Sequence, residues 1–383
     1  MTSSEQVSFA KDKTLFTPGP LTTSQSVKQA MLRDLGSRDT DFIETVRQIR
    51  RILLDVAGVP GADVAGDQGY AVVLMQGSGT FGLESVIGST VPMNGKLLVI
   101  INGAYGDRVA NIARVLKIET TTLEYPSNVA PSATDVERVL TEDKAITNVV
   151  VVHCETTSGI MNPIEQIGAV VARHRKTYFV DSMSAFGAVP FDFEKCKIDF
   201  LVSSANKCIE GVPGFSFVIC RRSSLLAAEG CARSVSLDLL AQWRGLETNG
   251  QFRFTPPTHS ILAFEQALCE LVAEGGVDGR ATRYRANNQT LLLGMREIGF
   301  AEYLLREQQG VIITAFCYPD HPRFLFEEFY RRLNEKGFVI YPGKVSNIDC
   351  FRIGNIGRLF RSDILALLAA VRSTLEEMGV TLA

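Results

Sequence analysis

A lysine in a short loop between two apolar stretches is the first residue in this sequence that could do chemistry. Lys207 lies in IDFLVSSANKCIEGVPGFSFVICRR, and the runs on either side of it are typical of buried strands. Most lysines in such loops are solvated surface charges. A lysine that is held out of water instead tends to lose its proton, and the neutral amine is a nucleophile that forms Schiff bases.

An aspartate 26 residues upstream gives this lysine a chemical partner. In KTYFVDSMSAFGAVP, the run from Tyr178 to Val180 predicts a buried strand that ends in Asp181. A carboxylate at the end of a parallel strand lies over the ligand crevice of an open α/β sheet, although it could also cap a helix or brace the loop. Together the two residues match the needs of pyridoxal phosphate. The lysine would bind the aldehyde, and the aspartate would keep the pyridine nitrogen protonated.

A glycine-rich turn could bind the phosphate of such a cofactor. In YAVVLMQGSGTFGLESV, an apolar strand is followed by Gly77, Ser78, Gly79 and Thr80, and a helix is predicted to open near Phe81. N–H groups at the start of a helix bind phosphate. The alternative is a turn whose glycines only let the helix pack closely on its strand, which leaves Ser78 and Thr80 unexplained.

The same glycines also fit the dinucleotide pattern G-x-G-x-x-G, with Gly77, Gly79 and Gly82. That pattern requires an Asp or Glu about 20 residues further on to bind a ribose. The next apolar run, KLLVIINGAYGDR, leads into Asn102 and Gly103 instead. A nicotinamide-dependent oxidoreductase is therefore the less favoured interpretation.

The composition is that of an ordinary globular protein without a nucleic-acid or membrane partner. The 383 residues are 46% hydrophobic and 21% charged, and the formal net charge is −3. This charge gives no electrostatic reason to expect nucleic acid or an anionic membrane surface. The first residues, MTSSEQVSFAKDK, contain no apolar signal segment, and the longest apolar runs have the length of strands. We therefore expect a cytoplasmic protein.

The eight cysteines are dispersed along the chain, and their spacing does not match a zinc site. They predict free thiols in a reducing compartment and no bound metal. Cys208, next to Lys207, is expected to be a core or loop thiol, because nothing nearby in the sequence could activate it.

Helical and strand-like segments alternate from about residue 41 to residue 269. Such repeated βα units predict an α/β fold with a large, doubly wound, mainly parallel sheet and a site at the carboxyl ends of its strands. Beyond this region, a long polar helix leads into a small α+β unit of a few strands with helices on one face. We predict a large domain over residues 20–270 and a smaller domain over residues 1–19 and 271–383, joined rigidly.

A series of ordered motifs gives the chain a family resemblance. They are LFTPGPLTTS, MQGSGTFGLESV, NGAYGDR, VHCETTSGIMNPI, FVDSMSAFGAVPFD, SSANKCIEGVPGFSFVI, FTPPTHSILAF and FVIYPGKVSNIDCFRIGNIG. Together with Lys207, Asp181 and the glycine-rich turn, this set resembles the class V aminotransferases of the fold-type I pyridoxal-phosphate enzymes. The resemblance covers most of the chain. It implies a large cofactor-binding domain and a smaller C-terminal domain that carries an arginine for the substrate's anionic group.

The resemblance implies a role for several residues around the cofactor. Lys207 would bind the cofactor and move protons, and Asp181 would contact the pyridine nitrogen. The other implied contacts are Ser78, Gly79 and Thr80 at the phosphate, Tyr105 stacked on the ring, Thr156 near the ring hydroxyl, and Asn206 beside the lysine. Asn206 stands where several relatives carry Gln or His. Tyr105 could instead be a core residue, and Thr156 could cap a turn.

Two further residues complete the implied site. Arg352, in CFRIGNIG, would bind the anionic end of the substrate, because a guanidinium holds such oxygens with two parallel hydrogen bonds. A strand arginine is otherwise most often half of an ion pair. Thr255, in FRFTPP, would reach across a dimer interface to the phosphate in the neighbouring subunit, or it could only begin the turn set by the two prolines that follow. The resemblance thus implies a homodimer with shared active sites.

Within the family, the motifs are most similar to those of enzymes that move the amino group of 2-aminoethylphosphonate to pyruvate and release phosphonoacetaldehyde and L-alanine. The nearest alternative is an aminotransferase that pairs alanine with glyoxylate or serine with pyruvate. A lyase or desulfurase of the same fold is less favoured, since no cysteine in a mobile loop is evident. A cofactor-binding regulator would be expected to carry an added DNA-binding segment, which this sequence does not show.

Overall fold

The computed structural model of the chain describes residues 12–61, 69–345 and 348–382. The strands, numbered in chain order, are β1 (Thr14–Leu15), β2 (Tyr70–Gln76), β3 (Lys96–Ile101), β4 (Glu119–Glu124), β5 (Ile146–Val152), β6 (Cys154–Glu155), β7 (Ile160–Met161), β8 (Thr177–Asp181), β9 (Phe200–Ser204), β10 (Phe215–Arg221), β11 (Ile313–Cys317), β12 (Phe338–Val339), β13 (Tyr341–Val345) and β14 (Ile348–Gly354). The α-helices are α1 (Gln25–Ala30), α2 (Thr40–Ala57), α3 (Gly79–Thr90), α4 (Ala104–Val115), α5 (Ala133–Glu142), α6 (Ile164–Arg173), α7 (Arg222–Leu226), α8 (Leu239–Asn249), α9 (Thr258–Ala273), α10 (Gly276–Ile298), α11 (Phe326–Glu335) and α12 (Arg361–Glu377).

The largest sheet is mixed but mainly parallel. In spatial order its strands are β2, β10, β9, β8, β5, β3 and β4. β10 runs antiparallel to both of its neighbours, whereas the pairs from β9 to β4 are all parallel. The predicted α/β fold with a mainly parallel sheet is therefore confirmed.

The burial of each strand reflects its place in this sheet. Central parallel strands are covered on both faces and are apolar throughout. In β5 every residue except Thr147 is buried, whereas the edge strand β4, with the sequence ETTTLE, has no buried residue. The opposite edge strand, β2, is buried in six of its seven residues because α2 and α8 pack against it, so a continuous apolar run indicates a strand that helices cover.

A smaller antiparallel sheet contains β11, β14 and β13 in that order. β1 pairs in parallel with β12, so residues 14–15 lie beside this C-terminal unit. Phe16, Phe351 and Leu367 belong to an apolar core that is separate from the core of the large sheet. These two cores support the predicted division of the chain, and we propose the domain boundaries given above on that basis.

The carboxyl ends of the parallel strands place several polar residues at one edge of the large sheet. Ser78 follows β2, Tyr105 follows β3, Asp181 ends β8, and Lys207 follows β9. Because parallel strands end at the same edge, the topology itself brings these distant parts of the sequence together.

None of the helices among the described residues combines the length and the apolar character that crossing a bilayer would require.

Candidate active site

A cavity at the carboxyl edge of the large sheet brings most of the predicted site residues together. It contains about 570 Å³ of empty space, part of it open to solvent. Its lining includes Ser78, Gly79, Thr80, Tyr105, Asp181, Asn206 and Lys207.

The turn after β2 presents the start of a helix to this cavity. Gly77 has a φ of +97°, a conformation that favours glycine, and α3 begins two residues later at Gly79, earlier than predicted. Ser78 caps the helix with its backbone, and its hydroxyl makes no capping hydrogen bond. A Cβ at Gly79 would lie 2.4 Å from the sulfur of Met183, so a larger residue there would require the Met183 side chain to move. The turn thus offers N–H groups and a hydroxyl to an anion.

Asp181 is a carboxylate held out of water at the end of β8. Its side chain is only 2% exposed, and Oδ1 accepts the N–H of Met183 at 3.0 Å. Burial raises the pKa of Asp181 to about 6, and the positive charges of Arg108 and Lys207 oppose that shift. No described residue donates a hydrogen bond to Oδ2, so this oxygen is available to a ligand.

Lys207 is a partly desolvated amine in the turn after β9. Its Nζ donates to the carbonyl of Pro18 at 2.7 Å. Burial lowers the pKa of Lys207 to about 8. Gly19 has a φ of +128°, which favours glycine, and a Cβ there would lie 2.6 Å from Nζ and would push the lysine aside. Asn206 precedes the lysine in the same turn and is, like it, half-buried.

Glu155 is a buried carboxylate that the sequence analysis did not single out. Its Oε2 accepts the N–H groups of Tyr105 at 3.2 Å and Gly106 at 3.4 Å. Its Oε1 accepts the N–H and the hydroxyl of Thr157 at 3.1 and 2.6 Å. Burial raises the pKa of Glu155, and these hydrogen bonds act in the opposite direction. The carboxylate caps α4 from outside the helix, which begins at Ala104 and holds Tyr105 in its first turn.

Arg108 is a second residue that the sequence analysis left without a role. It lines the cavity, and its guanidinium carbon lies 4.7 Å from the ring centroid of Tyr105. The motif NGAYGDR contained the signal, because a three-residue spacing puts the tyrosine and the arginine on one face of a helix. A cation is therefore present beside Asp181 and Lys207.

Arg352 lies on β14 of the small sheet and contacts Thr156, outside the cavity lining. Its Nη1 donates to the carbonyl of Thr156 at 2.9 Å, and its Nη2 donates to the carbonyl of Pro342 at 2.9 Å. The guanidinium carbon stands 4.7 Å from the ring centroid of Tyr341. Nε is buried and has no hydrogen-bond partner among the described residues. Arg352 thus connects the small sheet to the loop that contains Thr156, which is itself buried.

Thr255 lies outside the cavity lining, on an exposed segment next to the glycine-rich turn of residues 77–80, the predicted phosphate turn. Its carbonyl accepts the side-chain amide of Gln76 at 3.3 Å, and the carbonyl of Phe254 accepts the same amide at 3.0 Å. Gln76 directly precedes Gly77. The backbone of Thr255 is therefore tied to the turn, and the residue is exposed in the single chain.

The residues that line the cavity fit the predicted cofactor, pyridoxal phosphate. The free helix start at Ser78 suits a phosphate, and the open oxygen of Asp181 suits a pyridine nitrogen that carries a proton. The amine of Lys207, with its lowered pKa, suits an aldehyde. Each of these groups faces the same cavity, so one ligand could satisfy all three.

The free energy of unfolding of the cofactor-free protein should depend on the protonation of Asp181. In the folded chain Asp181 keeps its proton up to about pH 6, whereas the unfolded chain loses it near 3.8. This difference destabilises the fold fully above pH 6, and the penalty disappears as the pH falls below about 4. Asp181→Asn can still accept the Met183 N–H, so we expect it to stabilise the cofactor-free protein by up to about 3 kcal/mol at pH 7.5 and by about 1 kcal/mol at pH 4.5.

Urea unfolding at the two pH values measures this effect. Asp320→Asn is the matched control, since Asp320 is exposed, and we expect it to change stability by less than about 0.5 kcal/mol. A loss of stability in Asp181→Asn at pH 7.5 would contradict the prediction.

Comparison with known proteins places the chain in a family. The sequence model of the family Aminotransferase class-V matches residues 27–349. Proteins named 2-aminoethylphosphonate–pyruvate transaminase from Salmonella paratyphi B and Salmonella heidelberg are each 49% identical over 363 residues, which is 94% of this chain and 97% of the relative.

Solved structures of aminotransferases share the fold. Ureidoglycine–glyoxylate aminotransferase from Bacillus subtilis has a TM-score of 0.88 at 19% identity, and the match covers 98% of this chain and 96% of that one. Pyridoxamine–pyruvate aminotransferase from Mesorhizobium loti has a TM-score of 0.87 at 23% identity, with 97% and 94% covered. Aminotransferases of this class depend on pyridoxal phosphate, so the predicted cofactor is confirmed. On the family match and the identity to its relatives, the chain belongs to the class V aminotransferases.

Proposed function

We propose that this aminotransferase moves the amino group of 2-aminoethylphosphonate to pyruvate and releases phosphonoacetaldehyde and L-alanine. The observation that carries the proposal is the 49% identity, over 94% of the chain, to relatives named for that reaction. The cavity supports it, because Lys207, Asp181 and the turn at Ser78 lie in one lining.

Pyridoxal phosphate, when bound, supplies an aldehyde that takes up the amino group and a ring that withdraws electrons from the reacting carbon. Asp181 would hold the pyridine nitrogen in its protonated form, for which a buried carboxylate with one open oxygen is suited. Ser78, Gly79 and Thr80 would bind the phosphate. Tyr105 would stack on the ring, Thr156 would lie near the ring hydroxyl, and Asn206 would lie beside the lysine.

Lys207 would move the proton in both halves of the reaction. Its Nζ would take the proton from the carbon that carries the nitrogen and would return it on the other side of the transfer. A lysine with an ordinary pKa is almost entirely protonated at neutral pH and cannot accept a proton. Because burial lowers the pKa of Lys207 to about 8, a useful fraction of the amine is neutral near pH 7 to 8.

Arg352 would bind the anionic end of both substrates. Its bonds to two backbone carbonyls and its contact with Tyr341 fix the plane of the guanidinium. Thr156, which Arg352 contacts, is also a proposed cofactor residue, so an anion on the guanidinium would lie close to the cofactor. A fixed guanidinium suits phosphonate and carboxylate alike, since each presents two oxygens in a plane.

We further propose that the active unit is a homodimer in which Thr255 contacts the phosphate bound in the partner subunit. Thr255 is exposed in the single chain and adjoins the phosphate turn. Two exposed aromatic residues flank this region, Phe81 at 52% exposure and Phe254 at 45%. Apolar side chains exposed together beside an active site are typical of a protein interface.

The thiol groups support a cytoplasmic location for this enzyme. All eight cysteines are free in the structure, and Cys154, Cys208 and Cys220 are among those buried. Free thiols persist in reducing compartments. The location stays a proposal that fractionation of the source cells can test.

The central test is a donor screen with the purified, pyridoxal-phosphate-loaded protein and pyruvate as acceptor, with L-alanine as the measured product. We expect 2-aminoethylphosphonate to be the preferred donor. Lys207→Ala should lower turnover by at least about 10²-fold, because the proton can no longer be transferred. Lys195→Ala is the control, since Lys195 is an exposed lysine. If the protein ignores 2-aminoethylphosphonate but pairs alanine with glyoxylate, the proposed substrate is wrong.

Arg352→Lys tests the anion site. Lysine keeps the positive charge but loses the two-pronged geometry, so we expect a penalty of about 1.5–3 kcal/mol in kcat/KM for both 2-aminoethylphosphonate and pyruvate. Arg372→Lys, in an exposed ion pair with Glu297, serves as the control. Impairment with pyruvate alone would show that the phosphonate binds elsewhere, for which the backbone of residues 17–24 near Lys207 is the first candidate.

The shared site can be tested by mixing Lys207→Ala chains with Thr255→Ala chains under conditions of subunit exchange. In a mixed dimer, one site carries both changes and the other carries neither if Thr255 reaches across the interface. With random pairing, about one quarter of all sites are then intact, and activity should rise above that of both parent proteins. An absence of recovery, with exchange shown by native mass spectrometry, would place Thr255 in the site of its own subunit or in no site.

A further inference from the structure

A cluster of buried charges lies directly behind the turn that carries Lys207. We call it the arginine network, and it consists of Glu210, Glu274, Arg280, Arg283 and Tyr284. Arg280 is fully buried, and Glu210 is 2% exposed. Two arginines face two glutamates in this cluster, with N–O distances from 2.7 to 3.3 Å, so its charges balance.

On one side the arginine network holds the lysine turn by its backbone and by a side chain. The N–H of Glu210 donates to the carbonyl of Lys207 at 2.7 Å, and Nη1 of Arg280 donates to the carbonyl of Cys208. The carboxylate of Glu210 accepts a hydrogen bond from Nη2 of Arg283 at 2.7 Å and another from the hydroxyl of Tyr284 at 2.5 Å. Burial raises the pKa of Tyr284, which keeps this hydroxyl protonated as a donor.

Glu210 also has an unusual backbone conformation for a residue other than glycine, with a φ of +66°. This conformation places its carboxylate back toward the arginines while the chain turns away from Lys207. The arginine network is therefore bonded to the turn of residues 207–210 through both the backbone and the side chain of Glu210.

On the other side the arginine network holds the segment that follows β14. Nη1 of Arg283 donates to the carbonyls of Gly357 at 2.6 Å and Leu359 at 3.0 Å. The hydroxyl of Tyr284 accepts the N–H of Gly357 at 2.9 Å. Gly357 comes five residues after Arg352, so one side chain, Arg283, contacts both the lysine turn and the segment that follows the arginine-bearing strand.

Stability alone does not explain this arrangement. A buried ion pair can often be replaced by apolar residues without loss of stability. The cluster also retains buried polar atoms, Oε2 of Glu210 and Nη2 of Arg280, that have no hydrogen-bond partner among the described residues. The arginine network makes directional hydrogen bonds to the lysine turn and to the segment after β14. Such bonds hold two segments at a fixed distance, and catalytic groups need placement within about 0.5 Å.

We propose that the arginine network positions Lys207 relative to Arg352, and that Glu210, Arg283 and Tyr284 are positioning residues for transamination. The inference rests on the functions proposed above for the lysine and the anion-binding arginine. Because one lysine serves both halves of the reaction, a misplaced turn slows both halves by the same factor. A change at the anion site would instead depend on which substrate is bound.

Three substitutions distinguish an effect of the network's charge from an effect of the position of the lysine turn. Glu210→Gln removes the charge and leaves Arg280 and Arg283 opposed by Glu274 alone. Tyr284→Phe removes one hydroxyl without a change in charge, and it serves if Glu210→Gln does not fold. Arg283→Lys keeps the charge but cannot reach both neighbouring segments. The matched controls are Glu297→Gln and Arg296→Lys, which change exposed side chains on α10, the helix that also carries Arg283 and Tyr284.

Single-turnover rates in each half-reaction give the first measurement. We expect each of the three variants to slow both half-reactions by at least tenfold and by equal factors, with KM changed by less than about threefold. The controls should keep wild-type rates. If the wild-type protein prefers another donor, the same measurement is made with that donor, so failure of the proposed substrate does not obscure the result.

The second measurement needs no cofactor. In the cofactor-free protein, Lys207 is labelled with acetic anhydride at a series of pH values, and the labelled peptide is quantified by mass spectrometry. Asp181, Arg108, Cys154 and Cys208 are the charged or titratable groups with the largest effects on the pKa of Lys207, and none of the variants replaces them. Glu210→Gln should move the labelling midpoint to lower pH, because it leaves excess positive charge beside the turn.

In the same experiment, Tyr284→Phe should keep the labelling midpoint of the wild-type protein and still slow both half-reactions. This combination is the signature of altered position without altered charge. Variants that melt at lower temperature but keep wild-type rates in both half-reactions and the wild-type labelling profile would show that the arginine network only stabilises the fold, and the proposal would then be wrong.

Discussion

The active site depends on keeping two ionisable groups out of water at the edge of one sheet. Asp181 ends a strand in which only Thr177 is not buried, and Lys207 follows a strand that is buried throughout. Desolvation raises the pKa of the carboxyl to about 6 and lowers that of the amine to about 8, so the two values converge toward neutrality. Neither group makes an ion pair with a described residue. The apolar strands around them supply the burial that makes both groups reactive.

Behind the site, in the arginine network, buried charges are paired. In the arginine network each buried charge has an opposite charge beside it, so the loss of hydration is largely offset and the geometry is fixed. Asp181 and Lys207 make no ion pair among the described residues, and the nearby charge of Arg108 offsets only part of the desolvation of Asp181, so the fold as a whole carries the cost. The protein thus places closely paired charges where a fixed backbone is needed and charges without a close ion pair where a proton must move. A ligand that binds both Asp181 and Lys207 would therefore stabilise the whole folded chain.

The sequence predicts the residues of the site that follow directly on a recognisable strand. The apolar runs before Asp181 and Lys207 indicate strand ends, and the fold class then requires these ends to meet at one edge. Contacts between distant segments carry no such signal. Glu155 caps a helix that begins 51 residues earlier in the chain, and no spacing rule connects the two. Helix α10 reads as polar, yet Arg280 and Tyr284 are buried in it, because the groups that satisfy them come from other parts of the sequence. The roles of the individual site residues stay predictions.

The pairing of β1 with β12 has a consequence for how the protein is made. The carbonyl of Pro18, which holds the amine of Lys207, lies just after β1. The partner of β1 is about 320 residues further along the chain. At ribosomal speeds of about 5–20 residues per second, the first strand waits roughly 15–65 s before its partner emerges. The strand pair that leads into the segment at Pro18 therefore forms only when the C-terminal unit is present. A chain that ends before residue 338 lacks this pair, so the segment that accepts the hydrogen bond of Lys207 loses one of its supports.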